Sequence, residues 1–296
     1  MKTPQQSYPK LAKALGISNV YLKREDQHPY GSHKGRSIPH MIKTYLKRDG
    51  IRSFVISSSG NAALAAIKMA KKHNQNNPEK KIKLYVYIGK KISSKKFNIL
   101  QEEIGNLQME ISLQQGERPK QEAFLAGKEE GTVFLRQSTD DLALEGYTEL
   151  ANELYNIPDL VAVFVPTSSG TTAQAIAECF SAKEHIPQIH IVQTEACHPI
   201  AKALGKESKN IEHSIANAIV DNVAHRTQTV VGAVKKTDGT AWIPTDEEII
   251  TAQKLVKETT GIDISPNSAL SIAGLQNALA EGRVFDGAVV CLITGA

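Results

Sequence analysis

The chain has 296 residues, of which 41% are hydrophobic and 22% charged, and its formal net charge is +4. This length can bury a full core, as one large or two closely associated domains. The small net charge gives no argument for a nucleic acid or a membrane surface as a partner. No apolar stretch approaches the ~20 residues of a membrane span, and the N-terminus lacks the apolar region of a signal peptide.

The cysteines are three, Cys179, Cys197 and Cys291, with no C-x-x-C pair. An odd number in this spacing argues against a disulfide framework and against a zinc knuckle. We therefore expect a reduced, cytoplasmic protein without a metal site. The glycine-rich motifs of P-loop and dinucleotide-binding proteins and the G-x-S-x-G motif of hydrolases are also missing from the sequence.

Short β-rich runs alternate with longer helical patterns along the whole chain. Predicted strands are Val20–Lys23, Ser53–Ser57, Leu84–Ile88, Met109–Leu113, Thr132–Arg136, Leu160–Val165, Gln188–Gln193 and Ala288–Ile293. Predicted helices are Asn61–His73, Ser94–Ile104, Lys120–Lys128, Ala143–Tyr155, Thr171–Ala182, Asp246–Thr259 and Ser268–Ala280. Several strands are continuous apolar runs, which is typical of strands covered on both faces. The alternation predicts an α/β fold with mainly parallel sheets.

The stretch Tyr21–Arg36 reads Y-L-K-R-E-D-Q-H-P-Y-G-S-H-K-G-R and is centred on Lys34. This lysine stands just before a helical pattern that runs through Ile38, Met41 and Tyr45. The partial positive charge of a helix N-terminus disfavours another cation. A lysine there is therefore a candidate nucleophile, although most lysines are solvated surface residues.

Three further segments place small polar residues directly after predicted strands. Ser57–Asn61 and 165–172 (V-P-T-S-S-G-T-T) each join a strand to a helix, and Thr294 directly follows the last predicted strand. Backbone N–H groups at a helix N-terminus bind anions. The first turn is suited to binding a carboxylate, and the second turn is suited to binding an anion. For the second turn an ordinary N-cap is the alternative, because Ser and Thr are preferred caps.

Taken in this order, the four segments resemble those of fold-type II pyridoxal-phosphate (PLP) enzymes, which include threonine synthase, serine/threonine dehydratases, cysteine synthase and the tryptophan synthase β chain. The resemblance implies two three-layer α/β domains with mainly parallel central sheets. It also implies pyridoxal 5'-phosphate as cofactor, in a cleft between a large domain (1–36 and 138–296) and a smaller inserted domain (37–137).

The resemblance also implies a role for each site residue. Lys34 would bind PLP covalently and act as the catalytic residue, with His33 close to the phosphate. Ser58, Ser59, Gly60 and Asn61 would hold the substrate carboxylate, and Asn61 would also contact the cofactor ring. Ser168, Ser169, Gly170, Thr171 and Thr172 would hold the phosphate, and Thr294 the pyridine nitrogen. The chain departs from the family at His33, at Gly35 and in the serine- and threonine-rich phosphate turn.

The segments Ser214–Ile219 and Asp141–Leu154 resemble corresponding segments of threonine synthases. The resemblance implies a PLP-dependent lyase that converts O-phosphohomoserine to threonine and phosphate. A serine/threonine dehydratase, a cysteine desulfhydrase-type deaminating lyase and a non-catalytic PLP-fold binding protein are the alternatives. Candidate cations for a phosphate-bearing substrate are Arg36, His225 and Arg226. A homodimer is expected by analogy.

Overall fold

A computed structural model describes residues 1–295 of the chain. Its contacts divide the chain into two compact units. The first unit contains Met1–His28 and the described residues from Tyr147 onward, and the second contains Pro29–Gly146. The predicted domain limits after residues 36 and 137 stay a prediction.

Strands and helices alternate throughout the described chain. The strands are β1 (Gln5–Ser7), β2 (Asn19–Arg24), β3 (Ser53–Ser57), β4 (Lys83–Gly89), β5 (Ile111–Gly116), β6 (Thr132–Phe134), β7 (Leu160–Pro166), β8 (Gln188–Val192), β9 (Ala241–Trp242) and β10 (Ala288–Ile293). The helices are α1 (Pro9–Leu15), α2 (Lys34–Asp49), α3 (Asn61–Asn76), α4 (Ser94–Ile104), α5 (Pro119–Ala126), α6 (Leu142–Glu145), α7 (Thr148–Tyr155), α8 (Thr171–Ser181), α9 (Pro199–Ala203), α10 (Thr227–Lys236), α11 (Asp246–Thr260) and α12 (Pro266–Ala280).

The first unit is built on a six-stranded sheet in the order β1-β2-β10-β7-β8-β9. Only β1 pairs antiparallel, with β2, and every other neighbouring pair is parallel. The central strand β10 is buried along its whole length and β7 almost so. This burial explains why both read as continuous apolar runs, since helices cover the two faces of a parallel sheet.

The second unit is built on a four-stranded sheet in the order β5-β4-β3-β6, with all neighbours parallel. Strand β3 is therefore interior, and helices α2 and α3 pack against each other beside the sheet. Alanines give α3 a small-residue buried face, at Ala63, Ala65, Ala66 and Ala70. Small residues allow a helix to lie close to the elements that it packs against, and this packing accounts for the alanine-rich sequence of α3.

The predicted α/β fold with mainly parallel sheets is confirmed. Two strands were missed, β1 and β9, because three and two residues carry no readable pattern. The predicted helix Ala143–Tyr155 is two helices, α6 and α7, and Gly146 ends the first. A Cβ at Gly146 would lie 2.6 Å from the Cα of Ser37, so this position has no room for a side chain.

A buried ion pair connects the outer strands of the six-stranded sheet to helix α7. Lys23 in β2 is fully buried and pairs with Glu153 in α7. The Nζ of Lys23 also donates to the backbone oxygen of Thr3 and to Oε1 of Gln5, each at 3.0 Å. Buried charges are tolerated when they are paired and hydrogen-bonded, and this lysine therefore links β1, β2 and α7.

Within residues 1–295, no helix combines the length and the apolar character that crossing a bilayer requires.

His190 is a buried titratable group in β8. Its ring stacks on Phe164 with a centroid distance of 4.5 Å, and its Nδ1 accepts hydrogen bonds from Trp242 Nε1 (3.2 Å) and Thr240 N (3.3 Å). Burial, reinforced by the charge of Arg283, lowers the pKa of His190 from 6.5 to about 3. The imidazole is therefore neutral in the folded protein at every moderately acidic pH.

This residue makes stability depend on pH. Below pH 6.5 the unfolded chain binds a proton on this imidazole that the folded chain does not bind, so the free energy of unfolding falls as the pH falls. We expect a loss from this group of about 1.4 kcal/mol per pH unit below 6.5. Urea unfolding of the wild type and of His190→Gln between pH 7.5 and 5 measures this loss of stability. Equal pH slopes in the two proteins would contradict the assignment.

Candidate active site

Lys34 lies where the sequence predicts, at the first position of α2. The preceding loop is shaped by Gly31, whose φ of +85° is readily adopted only by glycine. Buried Ser32 accepts a hydrogen bond on its Oγ from the backbone N–H of Lys34 (3.3 Å). Tyr30, also buried, donates from its hydroxyl to Sδ of Met69 in α3 (3.5 Å). The loop before Lys34 is thereby fixed against α3.

The turn Ser58–Asn61 leads from β3 into that same helix. Its N-cap is Gly60, and the backbone N–H of Gly60 donates to Ser58 Oγ at 3.2 Å. A glycine cap contributes no side-chain oxygen to the first N–H groups of α3. These groups and the serine hydroxyls are suited to a small anion such as a carboxylate, because the helix dipole has the favourable sign there. A Cβ built at Gly60 would meet nothing within 4 Å.

The first unit contains a second turn with a Ser-Ser-Gly sequence, Thr167–Gly170, between β7 and α8. Buried Thr167 is held on three sides: its N–H donates to Val192 O (2.8 Å), its hydroxyl donates to Val165 O (2.7 Å), and its carbonyl accepts from Gln193 Nε2 (3.2 Å). Ser169 Oγ and Thr171 Oγ1 share a hydrogen bond of 2.9 Å. The turn is therefore rigidly positioned.

Glycine is required at the N-cap of α8. Gly170 has φ +88°, and a Cβ there would lie 2.6 Å from Val230 Cγ2 and 3.1 Å from Ile200 Cδ1. The helix that follows begins with buried Thr171 and Thr172. The result is a helix N-terminus with hydroxyl donors and no side chain on the cap itself. This arrangement fits a phosphate group chemically.

Thr294 follows β10 directly and is buried. The next residue, Gly295, is fixed by α12, since its N–H donates to Ser268 Oγ (3.2 Å) and its carbonyl accepts from Ser265 Oγ (2.6 Å). Strands β10 and β7 are parallel neighbours. Thr294 and the Thr167–Gly170 turn therefore lie at the same edge of the larger sheet, the edge where ligands bind in open parallel sheets.

The structure brings the predicted residues together in two groups. In the second unit, the Lys34 loop contacts the helix that follows the Ser58–Asn61 turn, and half-buried His33 is the N-cap of α2. In the first unit, the turn before α8 and Thr294 share one sheet edge.

The three candidate cations differ in their surroundings. Arg36 is buried in the first turn of α2. Arg226 is buried and donates from Nη1 to Gln174 Oε1 in α8 (3.2 Å), whereas His225 beside it is exposed.

Sequence reasoning missed Gln193 as a support of the turn before α8. This residue is fully buried just after β8, and its Oε1 accepts from the backbone N–H groups of Ile200 (3.0 Å) and Ala201 (2.8 Å) while its Nε2 donates to Thr167 O. A polar residue directly after a buried strand was a readable signal. Its partners in α9 and in the turn were not readable.

Comparison with known proteins places the chain in a family. A family model described as pyridoxal-phosphate dependent enzyme matches residues 1–295. The chain is 30% identical to a threonine synthase of Methanocaldococcus jannaschii, over 99% of this chain and 74% of that protein. It is 25% identical to a biosynthetic L-threonine dehydratase of Haemophilus influenzae, over 99% of this chain and 56% of that protein. The chain belongs to the family of pyridoxal-phosphate dependent enzymes.

The fold agrees with this assignment. The crystal structure of a pyridoxal 5'-phosphate-dependent aspartate racemase matches with a TM-score of 0.82, at 18% identity, covering all of this chain and 90% of that one. At this identity the match concerns the fold alone. The predictions of family, fold class, PLP cofactor and enzyme class, a PLP-dependent lyase of threonine synthase-like sequence, are confirmed. An amino acid as small-molecule substrate is consistent with them.

The N-cap glycine of α8 offers a direct test of the turn. Gly170→Ala introduces both an unfavourable positive φ and a contact with Val230, so we expect the free energy of unfolding to fall by roughly 2–4 kcal/mol. Gly205→Ala is the matched control, because Gly205 has φ +82° but nothing within 4 Å of its Cβ; its loss should be about 1 kcal/mol. Chemical denaturation measures both, and equal losses would show that the contact with Val230 is unimportant.

Proposed function

We propose that the protein is a threonine synthase-like lyase, which converts O-phosphohomoserine to threonine and phosphate. The observation that carries this proposal is the 30% identity to a threonine synthase across 99% of the chain, combined with Lys34 at a helix N-terminus. Two Ser-Ser-Gly turns, each following an interior parallel strand, support it by offering places for two anionic groups.

The residues of the chain fit PLP. We propose that Lys34 Nζ holds the cofactor covalently with His33 beside it. In this proposal the cofactor phosphate is held by Ser168–Thr172, and Asn61 and Thr294 contact the ring. The support is chemical: a rigid turn, a glycine whose Cβ would clash with Val230, and a helix N-terminus with hydroxyl donors. When bound, PLP supplies an electron-withdrawing ring that stabilises negative charge at the substrate Cα.

The remaining steps belong to the chain itself. Ser58, Ser59, Gly60 and Asn61 hold the substrate carboxylate and fix the orientation of the Cα–H bond. With its amine free, Lys34 Nζ would accept the Cα proton as a general base. Removal of a proton from Cβ would then expel phosphate from Cγ, water would add its hydroxyl at Cβ, and protons would return to Cα and Cγ, giving threonine and phosphate. A cation among Arg36, His225 and Arg226 would stabilise the leaving phosphate, because a guanidinium binds phosphate in a bidentate manner.

A deaminating lyase acting on serine, threonine or cysteine is the second candidate. The 25% identity to an L-threonine dehydratase over 99% of the chain favours it. Such an enzyme would use Lys34 and the Ser58–Asn61 turn in the same way. It would differ in the residues that contact the side chain of the substrate. The homodimer and the cytoplasmic location stay predictions, and light scattering of the purified protein tests the first.

The covalent role of Lys34 has a direct test. Borohydride reduction of the yellow holoprotein followed by peptide mapping should give one PLP-modified peptide, containing Lys34. Lys34→Ala should lose that adduct and the activity, because no other amine would occupy the position. Lys47→Ala is the matched control, since Lys47 is exposed in the last turn of the same helix. A modified peptide elsewhere in the wild type would refute the assignment.

Product analysis separates the two enzymes. With O-phosphohomoserine, the wild type should release phosphate and threonine in equal amounts. With serine, threonine or cysteine, it should form keto acid and ammonia at a rate at least about tenfold lower. A tenfold difference in rate corresponds to a difference of about 1.4 kcal/mol between the two transition states. Rapid keto-acid formation without phosphate release would favour the deaminating lyase.

A further inference from the structure

Ser168, in the turn before α8, is bonded differently from its counterpart Ser58. The Oγ of Ser58 accepts one hydrogen bond, from within its own turn. The Oγ of Ser168 accepts two from a distant part of the chain, the backbone N–H groups of Val220 (3.1 Å) and Asp221 (3.2 Å). A serine hydroxyl has two acceptor positions and one donor hydrogen. Both acceptor positions of Ser168 are therefore occupied, and the hydroxyl hydrogen is left to donate.

The two N–H groups belong to an irregular segment, residues 214–221, that is anchored at the beginnings of two other helices. Ser214 Oγ donates to Oδ1 of Asp246 (2.6 Å), the first residue of α11, and the N–H of Ile215 donates to Oδ2 of the same residue (3.1 Å). The N–H of Ala218 donates to Oδ1 of Asn267 in α12 (2.9 Å). Asn267 is 7% exposed. The position of the segment is therefore determined by buried or charged acceptors and not by packing alone.

We propose that the 214–221 segment fixes Ser168 as a hydrogen-bond donor toward the cofactor phosphate, and that Asn267 is a positioning residue acting through this segment. An anion accepts hydrogen bonds only, so a hydroxyl whose acceptor positions are already used is oriented for it before binding. A serine without these two bonds could turn its hydrogen toward a backbone carbonyl instead. The proposal rests on the proposed function, in which Ser168–Thr172 hold the phosphate.

The experiment compares binding of PLP and of pyridoxal, which lacks the phosphate, to the apoprotein by absorbance titration. Ser168→Ala should raise the Kd for PLP by about tenfold or more, the size expected for a hydrogen bond to a charged group. Its Kd for pyridoxal should change less than about twofold. Should Ser168→Ala fold poorly by circular dichroism, Ser168→Cys, of similar size and with a weaker donor, replaces it. A rise that is equal for both ligands, or no rise for PLP, would overturn the proposal.

Asn267→Ala tests the indirect route. We expect a rise of several-fold in the Kd for PLP, which disappears when the same change is made in the Ser168→Ala background, because coupled residues are not additive. Ser271→Ala, which removes another buried hydroxyl of α12 bonded to Ser268 O within the helix, is the matched control and should leave the Kd unchanged. Additive effects of Asn267→Ala and Ser168→Ala would reject the positioning role.

The outcomes separate this inference from the proposed function. A wild-type protein that binds no PLP defeats both. A wild type that binds PLP on Lys34, with an unaltered Kd in Ser168→Ala, leaves the function in place and rejects the inference.

Discussion

The proposed site depends on one physical interaction, the attraction between an anion and the N-terminus of a helix that begins directly after a buried parallel strand. Strands β3 and β7 are both interior, and each is followed by a Ser-Ser-Gly turn and a helix whose N-cap is that glycine. The first N–H groups of such a helix have no partner within it. Because the cap has no side chain, these groups and the neighbouring hydroxyls can be reserved for a ligand. Each turn lies at the edge of its own sheet where the carboxyl ends of the parallel strands meet.

Rigidity follows from how the second turn is supported. Thr167 is bonded to β7, to β8 and to Gln193, while Ser168 is bonded to the 214–221 segment. Gly295, next to Thr294, is bonded to Ser265 and Ser268. Polar groups that are already paired within the protein reorganise little when a ligand binds, and electrostatic stabilisation is then obtained without an additional ordering cost. The apolar strands β7 and β10 provide the fixed base for these bonds.

Local sequence patterns predicted those parts of the structure that are determined by residues close to one another in the sequence. The bounds of β3 and β10 and the starts of α3 at Asn61 and of α8 at Thr171 agree with those predicted, since apolar runs and small polar residues report directly on burial and on helix ends. The features that the sequence did not predict depend on residues that are distant in the sequence. Gln193, Asn267 and the break at Gly146 are explained only by side chains and backbone far away in the sequence, and no local pattern encodes those contacts.

The phosphorus resonance of bound PLP tests the central claim most directly, because it reports on the phosphate that we propose is held at the beginning of α8. The second ionisation of a free phosphate monoester has a pKa near 6, whereas a phosphate that accepts several hydrogen bonds at a helix N-terminus stays dianionic. We predict a ³¹P chemical shift of the holoprotein that does not change between about pH 5.5 and 8.5. A shift that titrates near pH 6, as in free PLP, would contradict the account.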